Sequence, residues 1–187
     1  MKKVLCAAAL AASVTAMQPA IAVDFDVRST NLSNALYFTP FLVAAHPVGT
    51  SLFSTGQPAS ANLQAMAEGG DISGLVADVN GLGATVVENP AGGLLEPTDS
   101  VEFSMNTDGT ANTRLSAVAM LLPTNDAFAG LNAVEIPTDP GTYVFNVPAY
   151  DAGTEANDEL LTGGGAPGAP GMPADPGGLA GTGGTGA

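Results

Sequence analysis

Val101-Glu102-Phe103-Ser104-Met105, the turn residues Asn106-Thr107-Asp108-Gly109, and Leu115-Ser116-Ala117-Val118-Ala119-Met120-Leu121-Leu122 closed by Pro123 decide the fold class. In the first part apolar side chains alternate with polar ones, the period of a strand with one wet face. The second part is an almost unbroken apolar run, as expected of a central strand covered on both sides. Working outward, Val23, Phe25 and Val27 alternate with Asp24, Asp26 and Arg28, and Thr85–Glu88 is a further strand candidate. Val134–Pro137 reads as a short strand, and Tyr143, Phe145 and Val147 alternate again before Pro148. Two short helices fall between the early and middle strands. Ser60 caps one that carries Leu63, Met66 and Ala67 on one face and stops at Gly69-Gly70. Ser73 starts the other, with Leu75, Val76 and Val79 pointing inward. Short strands joined by Pro, Gly, Asn and Asp turns predict an all-β, antiparallel sandwich, with the helices over one end or edge.

The two ends of the chain carry different instructions. Met1-Lys2-Lys3, the apolar stretch Val4–Val14 and Ala20-Ile21-Ala22 have the layout of a secretory signal peptide cleaved after Ala22. The apolar run is too short to span a bilayer, which takes about 20 residues. Residues 1–22 are thus a signal peptide, 23–161 the folded domain, and 162–187 a flexible Gly-, Pro- and Ala-rich tail with almost nothing to bury. The expected location is periplasmic or secreted. Cleavage removes both lysines and the only cysteine, so no disulfide is available and the core alone must hold the fold. Arg28 and Arg114 then stand alone against 18 acidic residues. Such a surface excludes nucleic acid and anionic lipid as partners and attracts divalent cations.

Oxygen ligands concentrate in two segments. Pro123-Thr124-Asn125-Asp126 follows the central strand, and Asp151-Ala152-Gly153-Thr154-Glu155-Ala156-Asn157-Asp158-Glu159 follows the last one. Calcium takes six to eight oxygens at about 2.3–2.6 Å, and loops at one end of a sandwich can supply them from distant parts of a chain. The spacing is not that of an EF-hand, because Gly153 is third rather than sixth from Asp151. Two readings of these residue types stand: a composite metal site, or plain turns whose side chains bond their own backbone. For catalysis the chain offers little. His46 is the only histidine and reads as a buried or capping imidazole bonded to backbone. Ser104 and Ser116 lie on strand patterns without an evident partner, and no nucleophile-elbow motif occurs. No catalytic or organic-cofactor residue is assigned.

The blocks Thr30-Asn31-Leu32, Phe41-Leu42-Val43-Ala44-Ala45-His46, Gly56-Gln57-Pro58-Ala59-Ser60 and Leu63 to Gly69 are followed by Met120 to Phe128 and Asp151 to Glu155. In this order the sequence resembles the bacterial branch of the spondin N-terminal domain family. The resemblance implies a C2-like antiparallel β-sandwich that binds Ca²⁺ through loops at one end. It carries ligand roles onto Asp126 and Asp151, matches Glu155 to an acidic position, and includes Asn125 in the loop. Asn157 and Asp158 join the candidate set by proximity. Animal members carry an aromatic directly after the loop aspartate, where this chain has Ala127 and then Phe128. The reading is an exported, calcium-binding, non-catalytic module for adhesion or ligand binding, with a protein or surface glycan as partner and no membrane insertion. Its alternatives are a structural or matrix protein without a functional metal site, and a hydrolase.

Overall fold

The computed structural model describes residues 24–155 and Asn157. The signal-peptide segment, the tail and Asp158 lie outside the described residues. In chain order the elements are β1 (Asp24–Thr30), β2 (Tyr37–Phe38), β3 (Leu42–Pro47), α1 (Ala61–Gly69), α2 (Ser73–Asn80), β4 (Thr85–Glu88), β5 (Ser100–Asn106), β6 (Asn112–Leu122), β7 (Ala127–Glu135) and β8 (Ala149–Asp151). All pairings are antiparallel. β1 and β5 form a two-stranded sheet, and the larger sheet runs β4-β3-β6-β7-β8, with β2 also pairing β6.

Strand β3 explains why the molecule has three layers. Leu42 to His46 are all buried, so both faces of the strand need cover. On one face Leu42 and Ala44 join Val118, Met120, Leu122 and Phe128 against Leu63, Met66 and Ala67 of α1 and Leu75, Val76 and Val79 of α2. On the other, Phe41, Val43, Ala45 and Ala119 pack with Met105, and the inward side of β1 and β5 (Phe25, Val27, Val101 and Phe103) closes over them. The helices therefore cover a whole face of the larger sheet rather than an end or edge. An unbroken buried strand leaves no face for solvent. β3 itself has no alternation to reveal it, and its two alanines and a histidine lack the β-branched signature.

Other boundaries move for local reasons. α1 behaves as its sequence implies: Ser60 Oγ accepts from Leu63 N at 3.1 Å, and Gly70 ends the helix at φ 71°. Before α2, Asp71 Oδ1 accepts from Ser73 N at 2.9 Å. Hydrogen bonds from the Ser73 side chain and then its amide hold the Asp71 carboxyl below its ordinary pKa. The short strand expected at Val134–Pro137 is the end of a longer one, β7, whose pattern is broken by Gly130 and a bulge. The Phe53 ring lies over Gly130, where a Cβ would come within 2.7 Å of it. The strand expected around Tyr143–Val147 does not form. That segment is extended but exposed, and β8 pairs with β7 only from Ala149 to Asp151.

The bulge is the joint of the larger sheet. Leu115 pairs with Val134 but Ala117 with Leu131, so Asn132 and Ala133 stand opposite Ser116 alone. Ala133 takes φ 53°, and its amide donates to Ser116 Oγ at 2.8 Å. Ser116 Oγ also lies 2.8 Å from His46 Nε2, and His46 Nδ1 lies 3.0 Å from Pro47 O. A carbonyl only accepts, so Nδ1 carries the proton, and in the neutral ring Nε2 accepts the Ser116 hydroxyl. Ser116 is thus partnered after all, and His46 is a buried histidine bonded to backbone and to one hydroxyl. Asn132 is turned outward from the bulge to hold the loop before α1, accepting from Leu52 N at 3.0 Å and donating to Ser51 Oγ at 2.8 Å and Phe53 O at 2.6 Å.

Ser116→Ala leaves the Ala133 amide and His46 Nε2 unsatisfied together, and urea unfolding should record a loss of about 2–3 kcal/mol. Met66→Ala, at a fully buried position between helix and sheet, should cost about 2–5 kcal/mol in the same assay.

Candidate calcium-binding loops

The turn from β6 to β7 brings the first acidic segment to one end of the sandwich. The Leu122–Pro123 peptide is cis. Thr124 N donates to Leu121 O at 2.9 Å, and Thr124 Oγ1 accepts from Ala127 N at 3.2 Å. Asn125 Oδ1 accepts from Asp126 N at 3.1 Å. These bonds are why a Pro-Thr-Asn-Asp stretch turns so tightly: each short polar side chain replaces a backbone partner.

Strand β8 delivers the second segment alongside. Ala127 pairs with Asp151, and Ala152 N donates to Asp126 O at 3.2 Å. Asp126 is only 1 % exposed, and its Oδ2 accepts from Thr154 N at 2.9 Å, Glu155 N at 3.0 Å and Thr154 Oγ1 at 3.4 Å. Glu155 is 4 % exposed, so two carboxylate residues are buried within one turn of each other. Asp151 is different. It is exposed, with Oδ1 accepting from Gly153 N at 2.6 Å and Oδ2 from Asn157 Nδ2 at 2.7 Å.

The six sequence candidates therefore separate. Asp126, Glu155 and Asn125 come together at the buried side of the junction. Asp151 and Asn157 form a bonded pair on its outer rim, and Asp158 is outside the described residues. Thr154 was not singled out as a ligand, yet its amide and hydroxyl both reach Asp126; the repeated Thr-x-Asp and Asp-x-x-Thr spacing was the available signal. Among the described residues, no three carboxylate, imidazole or thiol side chains lie together as a metal-holding group.

No basic side chain balances the buried acids. Arg28 pairs with Glu102 at 3.7 Å and Arg114 with Glu135 at 3.0 Å, both across strands of other parts of the fold, and residues 24–187 contain no further arginine or lysine. The donors at the junction are all oxygens, with no thiol or imidazole, which suits a hard cation such as calcium and not zinc or copper. Beneath the junction, Phe53, Phe128 and Tyr150 contact one another with ring centroids 4.8–5.5 Å apart and hold β7 and β8 in place.

The other pair of polar residues with chemical potential, His46 and Ser116, is sealed. Both are fully buried and their described bonds go to Pro47 O, Ala133 N and each other. The pair organises the bulge and offers a substrate no approach.

Among the described residues, no helix is long and apolar enough to cross a membrane. No curated protein matches the chain. The model of the Spondin_N family matches residues 28–160, which span the described sandwich and both acidic segments. Spondin domains are generally non-enzymatic and of extracellular type. With most of its length matched, and with the antiparallel sandwich and paired end loops that the resemblance led one to expect, the chain belongs to the Spondin_N family.

Proposed function

We propose that this protein is an exported calcium-binding module that presents a surface for adhesion or ligand recognition and performs no reaction. One observation carries the reading: Asp126 and Glu155 are buried side by side at an end of the sandwich where no arginine, lysine or histidine accompanies them. Buried carboxylates need a cation, a proton or several donors to offset lost hydration. Calcium supplies the cation that the sequence lacks.

In this reading Asp126 and Glu155 hold the ion with the Asn125 side chain. Asp151, Asn157 and Asp158 make up the outer rim, where Asp151 also shapes the turn. The ion neutralises carboxylates that otherwise repel, so the β6–β7 turn and the segment after β8 share one arrangement. That end of the molecule is then a fixed surface for a protein or glycan partner. The cleaved signal peptide of the sequence reading places the module in the periplasm or medium.

A metal-free reading rests on a specific observation of its own. Asp126 Oδ2 already accepts from the amides of Thr154 and Glu155, a clamp that closes the junction without an ion, as a structural or matrix protein would use it. The two readings diverge on titration. Calcium added to chelator-treated protein should bind saturably near one equivalent and raise the melting temperature, since a ligand of the folded state alone stabilises it by RT ln(1 + [L]/Kd). At free calcium about 100 times Kd the gain is about 2.7 kcal/mol. Asp126→Asn should abolish that gain. A melting temperature indifferent to calcium in the wild type favours the clamp.

A further inference from the structure

A third buried carboxylate lies on the helix layer. Glu68, in the last turn of α1, is 4 % exposed; its Oε1 accepts from Gln64 Nε2 at 2.8 Å, and its Oε2 has no hydrogen-bond donor. Neither Arg28 nor Arg114 is at hand, since each pairs with a glutamate elsewhere, and His46 is committed to Ser116 and Pro47. A buried carboxylate oxygen without a donor is a costly arrangement, and folded proteins rarely keep one without a use.

The helix geometry says which way Glu68 faces. Asn62, on the same helix, donates to Asp78 Oδ2 of α2 at 2.7 Å, and Gly74 of α2 closes against the Asn62 side chain. That fixes the α2-facing flank of α1, and α2 itself packs over β3 and β4. At about 100° per residue, Gln64 and Glu68 point about 200° and 240° round the axis from Asn62. They therefore occupy the opposite flank, on the side of β7 and β8. The level along the sheet is fixed separately. Gly70, just past the helix, sits against the Thr39 side chain, and Thr39 N donates to Met120 O at 3.1 Å. The C-terminal end of α1 thus stands over the end of β6 that runs into the Asp126 turn. Leu63, Met66 and Ala67 of the same helix share their core cluster with Phe128 and Ala152, the residues that flank Asp126 and Glu155.

We propose that Glu68 is a further carboxylate ligand of the cation held by the Asp126 and Glu155 loops. The inference rests on the calcium reading above and goes beyond both acidic loops, because it recruits a helix residue that neither contains. In the ion-free arrangement the three carboxylates do not form one cluster. The three side-chain torsions of Glu68 allow its carboxylate to swing from Gln64 toward the loops. Calcium then joins the helix layer to the β8 end and balances a charge that nothing else in the fold balances.

The test is calcium titration by calorimetry, with melting curves, on chelator-treated full-length wild type, Glu68→Gln and Asp126→Asn. Glutamine keeps the shape and an acceptor for Gln64 but removes the charge. The expected result is a loss of affinity of about tenfold or more in Glu68→Gln, because affinity follows the number of charged ligands. The same variant without calcium should melt at or above the wild-type temperature. Wild-type affinity in Glu68→Gln, with binding lost in Asp126→Asn, overturns the role of Glu68 and leaves the loop site standing. Weaker binding together with a lower metal-free melting temperature also overturns it, since a purely structural glutamate behaves that way. Absence of binding by the wild type overturns the calcium reading and this inference with it.

Discussion

Strands β3 and β6 meet water on neither face over most of their length, and that condition propagates through the molecule. One face must be covered by α1 and α2, the other by the β1–β5 ribbon, and every polar group caught between must find a partner within the protein. His46 and Ser116 are where the requirement is met. Each backbone or side-chain position they present is bonded, including the Ala133 amide that the bulge releases from the ladder. The bulge in turn directs Asn132 onto the loop that leads into α1. Sheet, bulge, loop and helix are connected through one hydroxyl, which makes Ser116 a fold residue rather than an idle serine on a strand.

What the sequence reveals is local. The alternation in 24–28 and 101–105, the run 115–122, the cap at Ser60 and the glycine stop at Gly70 all report on neighbours along the chain, and the structure places elements there. What it conceals depends on contacts between distant residues. β3 has no period because both its faces are inside. The alternating Tyr143, Phe145 and Val147 resemble a strand, but the described β8 pairing with β7 begins only at Ala149. Alternation is a property of a segment; pairing needs a neighbour. The link between positions 46, 116 and 133 has no sequence signature.

The candidate site follows the same division. The two oxygen-rich segments were visible as composition, and the turn reading and the ligand reading both describe part of them. Asp151 and Asn125 bond to nearby backbone or side chains as turn residues do, whereas Asp126 reaches across to the other segment. Burial separates the two behaviours, and burial is a tertiary property. Glu68 was invisible for the same reason: in sequence it is one acidic residue at the end of an amphipathic helix, an ordinary solvated position.

The exposed stretch from Tyr143 to Val147 has a colloidal consequence. It is uncharged and rich in residues that favour extended pairing, with Val144 85 % exposed. Two copies meeting through it would add strand to strand, the usual route to edge-to-edge association. What keeps them apart is long-range repulsion between chains that each carry a formal charge of −14 at pH 7. That protection is a property of the medium as much as of the protein. The screening length contracts from about 10 Å at 0.1 M salt to about 3 Å at 1 M, so the acidic composition that excludes nucleic acid also sets the ionic strength up to which this protein remains dispersed.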